Sequence, residues 1–392
     1  MITERNPRKA AGSTGVVQRR AGLCDIGNAV LELHEHIGTV IDAQTVTGAQ
    51  VLVDPHVHGA KTTRGPEATP YPVGVTDAVA PLAPQRDHVR QRPTGDVNDR
   101  WAWLQSRDDP AVIAYLEAEN AYANEWFAAG EPGVDAIFEE IKSRVVETDV
   151  SVPVAHGGWW YVSQTREGLA YPIHSRGDSS ETATTHVILD ENIEAGDAEY
   201  FSVGAFEIDR SHRLLAWTRD FDGGEKYEMV VRELESGGDL ADRLQGTSAA
   251  GAAFGGDATH LFYVLNDEAM RPYKVMRHRM GSPQSTDVEV FHEPDERFYV
   301  GVGMTRSGRF IVIESGSRTS SECWLIDADD PETAPRCARP RTPDVEYSID
   351  DWGDRFVVLT NLDAVDFRVM TAPHDAPERW TELIPHEPSR RI

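Results

Sequence analysis

Glu296–Pro331 reads ERFYVGVGMTRSGRFIVIESGSRTSSECWLIDADDP, three short apolar runs separated by turn residues. The middle run, Phe310–Ile313, follows TRSGR. The same design recurs along the chain: Leu214–Trp217 follows DRSHR, Leu261–Val264 follows GGDATH, and Phe356–Leu359 follows WGDR. From first residue to first residue the steps are 47 (214 to 261), 49 (261 to 310) and 46 (310 to 356). A β-rich unit recurring at this period marks a β-propeller, in which each repeat is one four-stranded blade. A single blade cannot bury both faces of its small sheet, so blades stack around an axis. An earlier start at Trp160, 54 residues before Leu214, brings the count to five.

Working outward, residues 151–392 form the repeats. Their turns, DRSH, GGDA, RSGR and ADDP, are rich in residues that adopt positive φ or bond their own backbone. GTSAA at Gly246–Ala250 reads as an inter-blade loop, and Gly301 and Gly303 as small residues that let adjacent blades approach. Residues 81–150 are mainly helical. Asp109 before Pro110 is a natural N-cap with proline at the first helical position. Val112, Tyr115, Leu116, Glu119, Tyr122, Ala123, Trp126 and Phe127 then trace one face of an amphipathic helix. That aromatic stripe is expected to pack against a neighbouring domain. Pro132 opens a second helix, with Val134, Ile137, Phe138, Ile141 and Val145 on its expected buried side.

Residues 1–80 read differently, as an irregular, poorly ordered extension ending in the breaker-rich TTRGPEATPYP. They hold two histidine pairs, His34/His36 and His56/His58. Val40–Gly59 resembles the first strand of amidohydrolases, whose D-x-H-x-H places two metal ligands on positions matching His56 and His58. The likeness stops after about twenty residues, and a stable zinc site takes three or four ligands. No metal or cofactor is therefore assigned.

The chain carries 38 basic and 65 acidic side chains, for a net charge of −27. Residues 1–68 balance seven basic against seven acidic groups, so the whole excess lies downstream. An acidic body argues against nucleic acid, whose phosphates need clustered Lys and Arg. It is compatible with cationic partners. Three cysteines, Cys24, Cys323 and Cys337, form no framework and suit a reducing compartment. No apolar run is long enough for a membrane span and no secretory signal opens the chain, so a cytoplasmic location is expected.

Hydrolytic chemistry needs a nucleophile with a base in reach. The sequence has no G-x-S-x-G elbow, no H-E-x-x-H, no C-x-x-C and no phosphate loop. His156, His174, His186, His260 and His278 share no ligand spacing. No catalytic, cofactor-binding or metal-binding residue is assigned, and the repeats read as a scaffold.

Longer stretches carry a resemblance. DRWAWLQSRDDPAVIAYLEAENAYANEWF (Asp99–Phe127), EEIKSRVVETDVSVP, GGWWYVSQTREGLAYPIHSR, YFSVGAF, DEAMRPYKVMRHRMG, DERFYVGVGMTRSGRFIVIESGS and NLDAVDFRVMTAP resemble, in order, the prolyl oligopeptidase family and its oligopeptidase B branch. The resemblance implies a propeller that admits short peptides to an α/β-hydrolase domain and excludes folded proteins. It also implies a serine endopeptidase cleaving after Arg or Lys. The expected fold is mainly β: a partial propeller of about five blades after a short helical segment, with the catalytic domain and its triad absent. An incomplete propeller leaves strand edges open, so self-association or aggregation is expected, and the chain alone is expected to be inactive. The alternative is a stand-alone propeller that binds a partner on its axial face.

Overall fold

The structure, a computed structural model, describes residues 79–129, 131–388 and 390–392. The histidine pairs at 34/36 and 56/58 lie outside the described residues. The chain divides into two compact units, within the described residues 79–147 and 148–392.

In the first unit, β1 (Val89–Arg90) and β2 (Val97–Asn98) form a small hairpin ahead of α1 (Pro110–Ala129) and α2 (Glu131–Lys142). Asp109 caps α1 as expected: its carboxylate accepts from Ala111 N at 2.8 Å. The second helix departs from expectation. It begins at Glu131, and Val145 lies beyond its end. Val134, Ile137, Phe138, Ile141 and Val145 are between 44 and 60% exposed, not buried. Leu116, Trp126 and Phe127 on α1 are exposed as well, while Val112 is buried. On α1 the stripe is buried at Val112 and part-buried at Tyr115, Tyr122 and Ala123, while the apolar side of α2 is exposed.

The second unit is an array of antiparallel sheets. Blade 1 comprises β3 (Asp149–Val150), β4 (Val154–His156), β5 (Trp159–Thr165), β6 (Ile173–Gly177) and β7 (His186–Asp190), followed by the short α3 (Glu191–Ala195). Blade 2 is built from β8 (Ser202–Ile208), β9 (Leu214–Asp220), β10 (Tyr227–Glu233) and the first part of β11 (Asp239–Phe254). Blade 3 takes the second part of β11 with β12 (His260–Asn266), β13 (Pro272–Arg279) and β14 (Val288–His292). Blade 4 is β15 (Tyr299–Met304), β16 (Phe310–Gly316), β17 (Ser321–Asp327) and β18 (Arg336–Cys337). Blade 5 is β19 (Tyr347–Asp351), β20 (Arg355–Thr360), β21 (Arg368–Pro373) and β22 (Thr381–Ile384).

Gly246–Ala250 is not a loop. It is the middle of the 16-residue β11, which leaves blade 2 and enters blade 3 without a break. Gly246 (φ 69°) and Gly251 (φ 103°) turn the strand, and its register shifts between Thr247 and Ala252. Gly251 also lets blade 4 come close, since a Cβ there would stand 2.1 Å from the Val302 carbonyl oxygen.

Alternation along the strands divides the core into seams. Ile311 and Ile313 of β16 face blade 3, where they pack with Phe262 and Val264. Their neighbours Phe310 and Val312 face blade 5, against Phe356 and Val358. Between blades 2 and 3, Ala216 meets Phe254 and Tyr263. Leu215 and Trp217 turn the other way, toward Leu189 and Phe201 beside blade 1. A strand whose two faces both meet neighbouring blades reads as a continuous apolar run, which is why FIVI and LFYV carry no polar break.

Candidate functional site: one end of the propeller and the first seam

The turns joining the first and second strands of the blades share one geometry. In blades 2, 3 and 4 the turning residue is left-handed: His212 (φ 57°), Ala258 (φ 57°) and Gly308 (φ 70°). Each donates its N–H to the carbonyl three residues back, at 2.8 Å. Blade 5 uses a shorter turn around Gly353 (φ 79°), and blade 1 uses Gly157 (φ 54°) and Gly158 (φ 87°). In blade 2 the Asp209 carboxylate accepts from the amides of Ser211 (2.9 Å), Arg213 (2.7 Å) and Leu214 (2.6 Å) and from the Ser211 hydroxyl. That satisfied network holds His212 in a conformation an L-residue enters at a cost of about 1–2 kcal/mol.

The turns lace the blades together. Arg210 of blade 2 reaches Asp329 of blade 4, Nη2 to Oδ1 2.6 Å, passing over Gly256 of blade 3. A Cβ on Gly256 would stand 2.7 Å from Arg210 Nη2 and 2.3 Å from Asp329 Oδ1, so a larger residue would push this ion pair aside. Gly256 N donates to Ala328 O at 2.6 Å. Arg306 N donates to Asp350 Oδ1 at 2.9 Å, and Arg309 Nη1 to Gly353 O at 2.6 Å, tying blade 4 to blade 5.

The seam between blades 1 and 2 differs from the others. Ser163 stands opposite His174, and Tyr161 opposite Arg176, so all four point to the same face of blade 1. Ser163 Oγ lies 2.9 Å from His174 Nδ1, and His174 Nε2 lies 2.8 Å from Glu191 Oε1. A serine therefore does stand beside an imidazole, with a carboxylate behind the ring. Its setting is that of a seam pin. Ser163 sits on a regular strand, its amide donates to Ser151 Oγ at 3.0 Å, and Phe206 covers the ring at 4.9 Å between centroids. The Ser163 amide is thus engaged and does not itself point at the place of an oxyanion.

Nearer the end of the seam, His212 lies against blade 1. The Tyr161 hydroxyl and His212 Nδ1 share a hydrogen bond at 2.7 Å, and Arg176 Nη1 donates to His212 O at 2.6 Å. His212 Nε2 occupies the position where a Cβ on Gly157 would be, 1.6 Å away, and the His156 ring meets it edge-on at 4.8 Å. Arg176 also stacks on Trp159 at 4.0 Å. Burial holds His212 below the usual imidazole range, with His156 and Arg176 adding to it against Asp209. Burial also lowers His156, helped by Arg306.

The other histidines singled out in the sequence are dispersed. His186 Nε2 contacts Leu234 O at 3.0 Å, and His260 approaches Glu332 at 3.4 Å. The buried His278 bridges Asp287 (2.7 Å) and Asp242 (3.0 Å), joining blade 3 to the first part of β11. Among the described residues no three His, Cys, Asp or Glu side chains gather as a metal site. Sequence spacing missed the cluster of His156, Tyr161, Arg176 and His212, because His212 joins the three blade 1 residues from blade 2. Two carboxylates titrate unusually. Burial pushes half-buried Glu207 on β8 up to about 8 and Asp350 up to about 6.

Curled four-stranded sheets, repeated and laced end to end, define the chain as a β-propeller of the prolyl oligopeptidase type. Residues 81–392 match the family model of the prolyl oligopeptidase N-terminal β-propeller domain, and the chain belongs to that family. It is 34% identical over 331 residues to dipeptidyl aminopeptidase BI of Pseudoxanthomonas mexicana, covering 79% of this chain and 46% of the relative. It is 32% identical over 302 residues to protease 2 of Moraxella lacunata, covering 75% and 43%. Oligopeptidase B from Leishmania major superposes with a TM-score of 0.71 at 28% identity, covering 79% of this chain and 47% of that one. The chain thus spans less than half the length of the curated relatives it matches most extensively.

Proposed function

We propose that the chain is the propeller and helical segment of an oligopeptidase B-like serine endopeptidase that cleaves short peptides after Arg or Lys. The observation that carries this reading is the family match over residues 81–392, together with relatives and solved neighbours that are peptidases. The propeller restricts substrate size, and the hydrolase domain that would hold the Ser–Asp–His triad supplies the chemistry. The acidic body, net charge −27 over the whole chain, suits basic peptides. The exposed apolar face of α1 and α2 is the surface on which that domain rests. Free, buried Cys323 accords with the cytosol. Among the described residues no helix is long and apolar enough to cross a membrane.

A second reading is supported by the 34% identity to a dipeptidyl aminopeptidase: release of dipeptides from the N-terminus. The test uses a gene product that continues beyond Ile392, incubated with a library of short peptides and with folded proteins of matched composition. Mass spectrometry should show internal cuts after Arg and Lys in the peptides alone. Serial loss of N-terminal dipeptides would select the second reading. Digestion of the folded proteins would remove the size filter.

A further inference from the structure

We propose that the seam between blades 1 and 2 is an acid-sensitive clasp, with the His212 turn of blade 2 latched onto Gly157 and Tyr161 of blade 1. Three observations place the device there.

The first is the fit. The His212 ring occupies the space above Gly157 that any side chain there would fill. Its Nδ1 is hydrogen-bonded to the Tyr161 hydroxyl at 2.7 Å, and its carbonyl accepts from Arg176 at 2.6 Å. Blade 1 therefore holds this turn through one ring and one carbonyl.

The second is the charge that faces the ring. From β4 comes His156, from β5 Tyr161, from β6 Arg176, and from its own turn Asp209; Arg306 of blade 4 acts on His156. The carboxylate in this set, Asp209, already accepts four hydrogen bonds within its turn. A proton arriving on either histidine meets arginine and a second imidazole, with Asp209 the only facing carboxylate among these groups. Both rings titrate below the usual imidazole range, so the folded clasp binds protons less readily than the open chain. Its stability is whole above the ordinary histidine pKa of about 6.5 and falls as pH drops below that value.

The third is slack elsewhere in the seam. Arg176 Nε and Trp217 Nε1 are buried and make no hydrogen bond to another protein group. Buried donors left unpaired weaken an interface. Blade 2's other side, toward blade 3, packs Ala216, Phe254 and Tyr263 instead.

The experiment is hydrogen exchange of the 392-residue chain at pH 7.5 and pH 5.5, with rates corrected for the intrinsic effect of pH. Peptides covering 156–163 and 209–214 should lose protection by up to roughly tenfold at pH 5.5, the limit set by one imidazole of ordinary pKa about 6.5 that takes its proton only in the open state. Peptides covering 261–265 and 310–314, in the apolar seam between blades 3 and 4, should hold theirs. His212→Gln, neutral at both pH values, should remove the response. Should that variant fold poorly, His156→Asn decides the matter, and it too should blunt the response. Uniform loosening of all the seams, or a selective response that survives in the folded variant, would overturn the proposal.

Discussion

Two seams of the same propeller are built on different principles. Between blades 3 and 4, Phe262, Val264, Val302, Ile311 and Ile313 form a buried apolar layer, and a strand glycine brings the backbones together. Between blades 1 and 2 an apolar cluster with Leu189, Leu215, Trp217 and Phe206 adjoins a polar set of Tyr161, Ser163, His174, Arg176 and His212. The contrast teaches that a radial repeat does not make its joints equivalent. Apolar burial is indifferent to pH and tolerant of small shifts. Hydrogen-bonded joints depend on protonation and on every partner being present.

The largest break in the comparison should come from the strong seam. Ile313→Ala, at a fully buried position, should lower unfolding stability by about 2–5 kcal/mol in urea titrations, equally at pH 5.5 and pH 7.5. A loss that depends on pH would erase the distinction between the seams. Gly157→Ala should reproduce the opened first seam at any pH. The new methyl collides with His212 and the backbone is left-handed, a combined cost of about 1–3 kcal/mol. Retention of full protection at 209–214 in that variant would show the turn to be held by other contacts.

Smaller effects sharpen the picture. Ser163→Ala removes the hydroxyl beside His174 and should cost about 1 kcal/mol. Glu207→Gln should stabilise the propeller. Because the folded carboxyl titrates near 8 and the unfolded one near 4.5, the native carboxylate weakens folding progressively as pH rises between those values. The gain should therefore be largest at pH 8 and vanish near pH 4.5. Solvent at this half-buried site limits it to roughly 1 kcal/mol. Thermal melts across that range would expose an opposite slope.

Much of the fold was legible in advance. The runs beginning at Leu214, Leu261, Phe310 and Phe356 fall in β9, β12, β16 and β20, because a strand buried on both faces must be apolar throughout and its turn must contain a left-handed residue. The crossing strand β11 was not legible. Gly246–Ala250 reads as a loop, yet in the propeller Gly246 and Gly251 bend a strand that continues. Nor could α2's apolar stripe reveal its exposure, since periodicity states which face is apolar and not what covers it. The first seam escaped for a related reason. Tyr161 and His212 are 51 residues apart, and Gly157 reads in sequence as an ordinary turn glycine.

The proposed function makes these residues a frame and a filter and assigns them no bond-breaking chemistry. Ser163, with His174 and Glu191 behind it, is where that claim is most exposed. Treating the purified chain with a fluorophosphonate probe and mapping the adduct by mass spectrometry tests it directly. The account predicts no labelling at Ser163 above that of a denatured control. Stoichiometric modification of Ser163, lost in His174→Ala, would contradict it.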